Sequence, residues 1–181
     1  MIPPAIDPLA PKNMAFSTDD AVYVCGQFGI DVDRPLLCQV SRFDPWKDPL
    51  GVIDAHRIVK DTHPDVQLAL VGSMATDDPE GWDYFNATVA RADGDPDIHI
   101  YNNFSNVGSI EVSALQLHAD GESGFLVTTV KECAQRALEI LADPSLGKRL
   151  GRAGKEAARA RFLMPRLLRD WLSLFTHLAV A

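Results

Sequence analysis

The stretch from Gln39 to Pro49, QVSRFDPWKDP, decides how the chain reads. Immediately before and into it, residues 36–40 form a short apolar run, consistent with a parallel strand buried on both faces. At its far end residues 48–60 have helix character. Asp48 stands where an N-cap belongs and Pro49 takes the first helical position, while Leu50, Ile53, Ala55 and Ile58 roughly trace an apolar face. Between strand and helix lies a loop that carries Arg42 and Lys47. In open parallel sheets ligands bind beyond the carboxyl ends of the strands, which is where this loop lies. A guanidinium can clamp two oxygens while an ammonium acts as a point charge, so together they suit a diphosphate. Such cations also stabilise a departing diphosphate. The same two residues equally suit an ordinary surface loop, paired with Asp44 and Asp48, and from spacing alone that simpler reading is favoured.

Working outward, residues 66–71 read as the next strand, bounded by His63-Pro64 and by Gly72. Residues 80–92 read as a helix whose first turn Gly81 weakens, and 97–101 as a third strand. A helix is expected over 109–118 and a short strand over 125–127. Residues 129–141 place Val130, Cys133, Ala134, Ala137, Leu138 and Leu141 on one stripe at helical spacing. Two more helices follow, over 144–161 and from 165 onward, the last carrying Leu168, Trp171, Leu172, Phe175 and Leu178. Ahead of all this, Pro3, Pro4, Pro8 and Pro11 describe an extended arm, with a short helix over 19–28 ended by Gly29. Strands alternating with helices imply an α/β fold with a parallel, Rossmann-like sheet and a helical C-terminal tail. The division is an arm and short helix over 1–35, the sheet domain over 36–143 and C-terminal helices over 144–181.

The 181 residues are enough for one cored domain. A formal net charge of −8 argues against general nucleic-acid binding, which requires neutralising phosphates. The cations between Lys148 and Arg169 interleave with Leu150, Ala153, Ala157 and Phe162, as on an ordinary amphipathic helix. No apolar run approaches the roughly 20 residues that span a bilayer, and the N-terminus lacks a signal-peptide pattern, so no membrane partner and a cytoplasmic location are expected. Cys25, Cys38 and Cys133 have no redox or metal spacing, and Cys38 reads as a small core residue. The five histidines show no ligand pattern, and Asp77-Asp78-Pro79-Glu80 and Asp93-Gly94-Asp95 need no role beyond loops and caps. No metal site and no cofactor are expected.

Ser41-Arg42-Phe43 followed by Lys47 resembles the signature that opens the C-terminal domain of GT-B retaining glycosyltransferases, in glycosyltransferase family 4. The longer string QVSRFDPWKDPLGVIDA over 39–55, with IPPAIDP over 2–8 and LVGSMA over 70–75, resembles the trehalose synthase/phosphorylase branch. The likeness runs through Asn102, VSALQ over 112–116 and GESGFLV over 121–127. It implies that Arg42 and Lys47 bind the donor's phosphates, that the turn at Gly72 lies near the donor site, and that the donor is a nucleoside-diphosphate glucose or a glucose phosphate. It also implies two losses: an acceptor-binding domain before residue 1, and a block between Asp120 and Gly121 holding an E-x7-E glutamate pair. A βαβ unit takes on the order of 30 residues, so its excision removes sheet strands and leaves their neighbours without cover. No catalytic residue is therefore assigned. The expectation is a fragment of a retaining glucosyltransferase that makes or cleaves trehalose, inactive alone, with its donor binding weak or lost. The alternatives are a non-catalytic sugar-phosphate-binding module, or an interaction protein pairing through its C-terminal helices with a second copy or a parent enzyme.

Overall fold

The structure is a computed structural model that describes residues 5–7, 17–103 and 124–180. Its elements in order are α1 (Thr18–Gln27), β1 (Leu36–Val40), a 3-10 turn (Pro45–Lys47), α2 (Pro49–Lys60), β2 (Gln67–Gly72), α3 (Pro79–Ala92), β3 (Ile98–Asn102), α4 (Val130–Ala142), α5 (Pro144–Phe162) and α6 (Met164–Val180). The expected helix over 109–118 lies outside the described residues. The expected strand at 125–127 does not form: these residues take no regular ladder.

The chain divides into two compact units. The larger, spanning 15–113 and 127–142, holds an open sheet of order β1-β2-β3. Both pairings are parallel, with Leu36 opposite Gln67 and Leu68 opposite Ile98. Parallel neighbours need crossovers, and α2 and α3 supply them. On the side of those helices, Leu68, Leu70 and Ile98 pack with Ile53, Phe43, Met74 and Ala92. A second cluster, Ala55, Val59, Val66 and Ala134, seats the apolar stripe of α4 against α2. The expected stripe is the packed face: Val130, Cys133, Ala137, Leu138 and Leu141 all adjoin it. On the opposite face the residues after α1 close over part of the sheet. The Tyr101 hydroxyl donates to the Phe28 carbonyl, their rings meet edge to face, and Gln67 exchanges two hydrogen bonds with the Asp31 backbone. Leu36 and Cys38 remain exposed. Cys38 is thus not a core residue: side chains alternate across a strand, and it lies on the face of β1 opposite Leu37, which packs against the core.

Helix starts share one device. Asp48 accepts from Gly51 N–H, Asp78 from Gly81 N–H and Asp143 from Ser145 N–H, each followed by proline. Gly81, expected to weaken α3, instead makes room for its cap: a Cβ there would lie 2.8 Å from Asp78 Oδ2. Gly29 ends the α1 region at φ +65°, as its position predicts.

At the amino end of the strands a cluster of ions ties the segments together. Lys60 Nζ lies 2.8 Å from Asp97 and 2.9 Å from Asp95, while Arg34 meets Asp97 at 2.5 Å and the Asp65 carbonyl at 2.9 Å. Beside it His56 is fully buried, its Nε2 bonded to the Val66 carbonyl, and burial holds its imidazole below the usual range.

The smaller unit contains α5 and α6. Ile6 joins it through a parallel bridge to Leu163, with Ile6 N–H donating to the Phe162 carbonyl at 2.7 Å. Leu150 is buried, whereas Leu168, Trp171, Leu172, Phe175 and Leu178 along α6 are exposed. No helix among the described residues is long and apolar enough to cross a membrane.

The hydrogen bond from Lys60, then that from Arg34, hold the Asp97 carboxyl below its usual range. A depressed carboxylate contributes stability that is complete above the ordinary carboxylate range, about pH 4, and lost as pH falls through the lowered value. Asp97→Asn is expected to lower the thermal midpoint by a few degrees at neutral pH, with the gap to the parent closing at acid pH. Thermal unfolding followed across pH checks both.

Candidate functional site

The carboxyl ends of the three strands bring together the loop after β1, the turn after β2 and the residue after β3. The chain leaves β1 through Ser41, whose N–H donates to the Val71 carbonyl at 3.0 Å. It then buries Phe43, which meets Phe85 edge to face, before turning outward into the 3-10 turn. Arg42 therefore precedes an anchor, and its own side chain is pushed to the surface, 70% exposed and 3.4 Å from Asp44. That contact is what the plain surface-loop reading expects. At such exposure a lone pair holds a side chain weakly, so it leaves the guanidinium open to a better anion.

The remainder of the loop is firmly held. Asp44 accepts from Lys47 N–H through both its backbone and side-chain oxygens, at 3.1 and 3.0 Å. Gln39 reaches forward from β1 and donates to the Lys47 carbonyl at 2.6 Å. Asp48, at φ 45°, closes the 3-10 turn with its N–H to the Pro45 carbonyl and opens α2 with its carboxylate. Lys47 is exposed, and its ammonium makes no ion pair among the described residues. Asp44 thus divides its carboxylate between the Lys47 N–H and Arg42, while that of Asp48 caps α2. Asp48 is not paired with Lys47, and two cations remain on a braced surface loop.

Gly72 is the last residue of β2 and lies directly against this loop. A Cβ there would sit 2.4 Å from the Ser41 carbonyl and 2.6 Å from the Phe43 ring. The glycine lets the loop cross over the strand end, which is its reason for being glycine here. All three sequence-predicted residues therefore belong to one local assembly, Gly72 as the seat and Arg42 and Lys47 as the exposed charges.

Two residues of this assembly escaped the sequence reading. Asn103 donates to the Met74 carbonyl and accepts from Met74 N–H, at 3.1 and 2.7 Å, pinning the turn after β2 to the end of β3. A polar residue directly after a strand is too common to signal this. Trp46, between Arg42 and Lys47 in sequence, is 91% exposed whereas Phe43 of the same loop is buried, a difference that residue type does not signal. Among the described residues no group of three metal-ligating side chains comes together.

No family model matches the chain. Trehalose synthase of Rubrobacter xylanophilus is 50% identical over 216 residues, covering 98% of this chain and 52% of that protein. Trehalose synthase of Thermococcus litoralis is 33% identical over 213 residues, covering 96% and 52%. The chain spans about half the length of the curated relatives it matches. Because a match of 216 residues is met by a chain of 181, at least 35 positions of the first relative have no counterpart here. Among solved structures, Anabaena HepE in complex with UDP-glucose superposes with a TM-score of 0.72 at 16% identity, over 96% of this chain and 56% of that one. The C-terminal domain of a group 1 family glycosyl transferase from Francisella tularensis gives 0.62 at 12%, over 88% and 100%. At such identities the likeness is one of fold.

Gly72→Ala is expected to destabilise the protein by about 1–3 kcal/mol, because the intruding methyl meets backbone and ring atoms that cannot simply swing away. Chemical denaturation of the variant beside the parent measures it.

Proposed function

Taking as premise that this chain is a relative of the trehalose synthases along nearly its whole length, with the fold of a GT-B glycosyltransferase C-terminal domain, we propose that it is the donor-phosphate-binding piece of a retaining glucosyltransferase that makes or cleaves trehalose. The observation that carries the reading is the braced loop after β1, where Arg42 stands exposed with one loose contact to Asp44 and Lys47 stands exposed with no ion pair among the described residues. A diphosphate or an anomeric phosphate would displace the weak Asp44 contact of Arg42 and take its second cation from Lys47. In the reaction these charges would stabilise the phosphate as it leaves the sugar, work that needs no metal ion. The donor is a nucleoside-diphosphate glucose or a glucosyl phosphate, and the partner sugar is glucose. HepE has been crystallised with UDP and with UDP-glucose, which is consistent with nucleotide-sugar chemistry on this fold.

Catalysis is a separate matter. The glutamate pair expected of this family does not follow Asp120, and the shortfall of positions against the R. xylanophilus enzyme is consistent with a missing block. The chain alone accordingly binds but does not turn over. Calorimetric titration with UDP-glucose and with glucose 1-phosphate should give binding that weakens as salt is raised. Arg42→Ala and Lys47→Ala should each weaken it about tenfold to a hundredfold, the range of a charge-assisted hydrogen bond. Variants that bind as tightly as the parent would overturn the phosphate assignment, and trehalose formed by the isolated chain would overturn its inactivity.

The apolar residues exposed along α6 favour a second reading, a chain that pairs through its C-terminal helices. Sedimentation over a range of concentrations should then reveal oligomers that Trp171→Asp abolishes; a monomer at all concentrations excludes pairing between copies.

A further inference from the structure

We propose that His56 is an acid-sensitive latch between α2 and β2, a proton taken up on its ring weakening the seat of the helix on the sheet. The inference does not depend on the phosphate reading. α2 buries Pro49, Ile53, Ala55, His56 and Val59, and His56 is the one polar side chain among them. None of its surface reaches water, and its Nε2 lies 3.1 Å from the carbonyl of Val66, the residue just ahead of β2. A carbonyl only accepts, so Nε2 carries the hydrogen, and in the neutral ring Nδ1 holds the lone pair. That Nδ1 is buried and has no hydrogen-bond partner among the described residues. A proton arriving there finds no acceptor and places a full charge out of water.

The charges nearby do not offset that cost. Lys60, one turn further along α2, opposes a second cation. Asp95 and Asp97, from the turn into β3, favour one, but both already face the Lys60 ammonium at 2.9 and 2.8 Å, and Asp97 also holds Arg34. β1 and β2 carry no charged residue. On α3 Arg91 is paired with Asp54, and on α4 Arg136 is paired with Glu139, while Lys131 and Glu132 are exposed. Cys133 of α4 stays a neutral thiol near pH 6, because burial raises it. Burial therefore dominates and holds the His56 imidazole below its usual range. In the unfolded chain the ring titrates near pH 6.5, about where any free histidine does. Between that pH and the lowered folded value the unfolded chain binds more protons. The contribution of His56 is thus complete above about pH 6.5 and lost as pH falls towards the folded value. Asp95 and Asp97, both held below the carboxylate range, stay ionised throughout that window.

Urea unfolding between about pH 7 and pH 5 tests the latch. One proton taken up on unfolding raises the unfolding constant about tenfold per pH unit. His56→Gln keeps a side-chain N–H for the Val66 carbonyl and cannot titrate, so its unfolding constant should rise by up to about tenfold less per unit than the parent's. What remains belongs to His99, half-buried with its Nε2 unpartnered and lowered by burial in the same sense. His177→Gln, at an exposed position on α6, should follow the parent. A His56→Gln profile that runs parallel to the parent's overturns the proposal. Should that variant fail to fold, proton NMR follows the His56 ring in the parent itself. A midpoint below about 6.5 is expected, and one at or above it overturns the proposal.

Discussion

The larger unit depends on one buried strand. From Gln67 to Gly72 every residue of β2 but Val71 is buried, and its backbone pairs on one side with β1 and on the other with β3. A backbone in such a place must find all its partners within the protein, because no water can take them. That demand requires a strand on either side, and the register of the two pairings sets the level at which the three loops emerge. Ser41 continues the β1 pairing one step beyond the strand, to the Val71 carbonyl, so the loop bearing the two cations starts from a position the central strand has already fixed.

Charge is divided between the two ends of the sheet. At the amino end, cations and carboxylates neutralise one another closely, Lys60 and Arg34 sharing Asp97. At the carboxyl end, the acids near Arg42 and Lys47 are largely spent on backbone N–H groups. A carboxylate that caps a turn has its oxygens oriented by the backbone and is a poor partner for a flexible ammonium beside it. The same residue type therefore holds close ion pairs at one end, while at the other Arg42 has only an exposed contact with Asp44 and Lys47 has no ion pair among the described residues. That contrast is a physical reason to look for an anionic ligand at the carboxyl end.

Much of this was legible in the chain. Local signals are strong where short-range chemistry sets them: the Asp48-Pro49 helix start, the apolar stripe of α4 and the glycine ending the α1 region are where the pattern puts them. The three parallel strands fall within a residue of their expected bounds. Failures cluster where a distant neighbour decides. Residues 125–127 have the composition of a strand but no ladder, and Cys38 sits in an apolar run yet is exposed, on the face of β1 opposite Leu37. At the site, Arg42 and Lys47 were found by their charge and Gly72 by its place after a strand. Trp46 and Asn103 were passed over, the first because exposure cannot be read from type, the second because its partner is 29 residues away.

Asp48 serves at once as the last residue of one turn and the first of the next, in a left-handed backbone conformation. With no spacer between the two, the span from Phe43 to Pro49 has no slack in which to hide an inserted or deleted residue. A length change there would rotate everything that follows and part the two cations. Loops are usually where chains tolerate length variation; this one should behave like a core in that respect, accepting exchanges of side chain while rejecting changes of count.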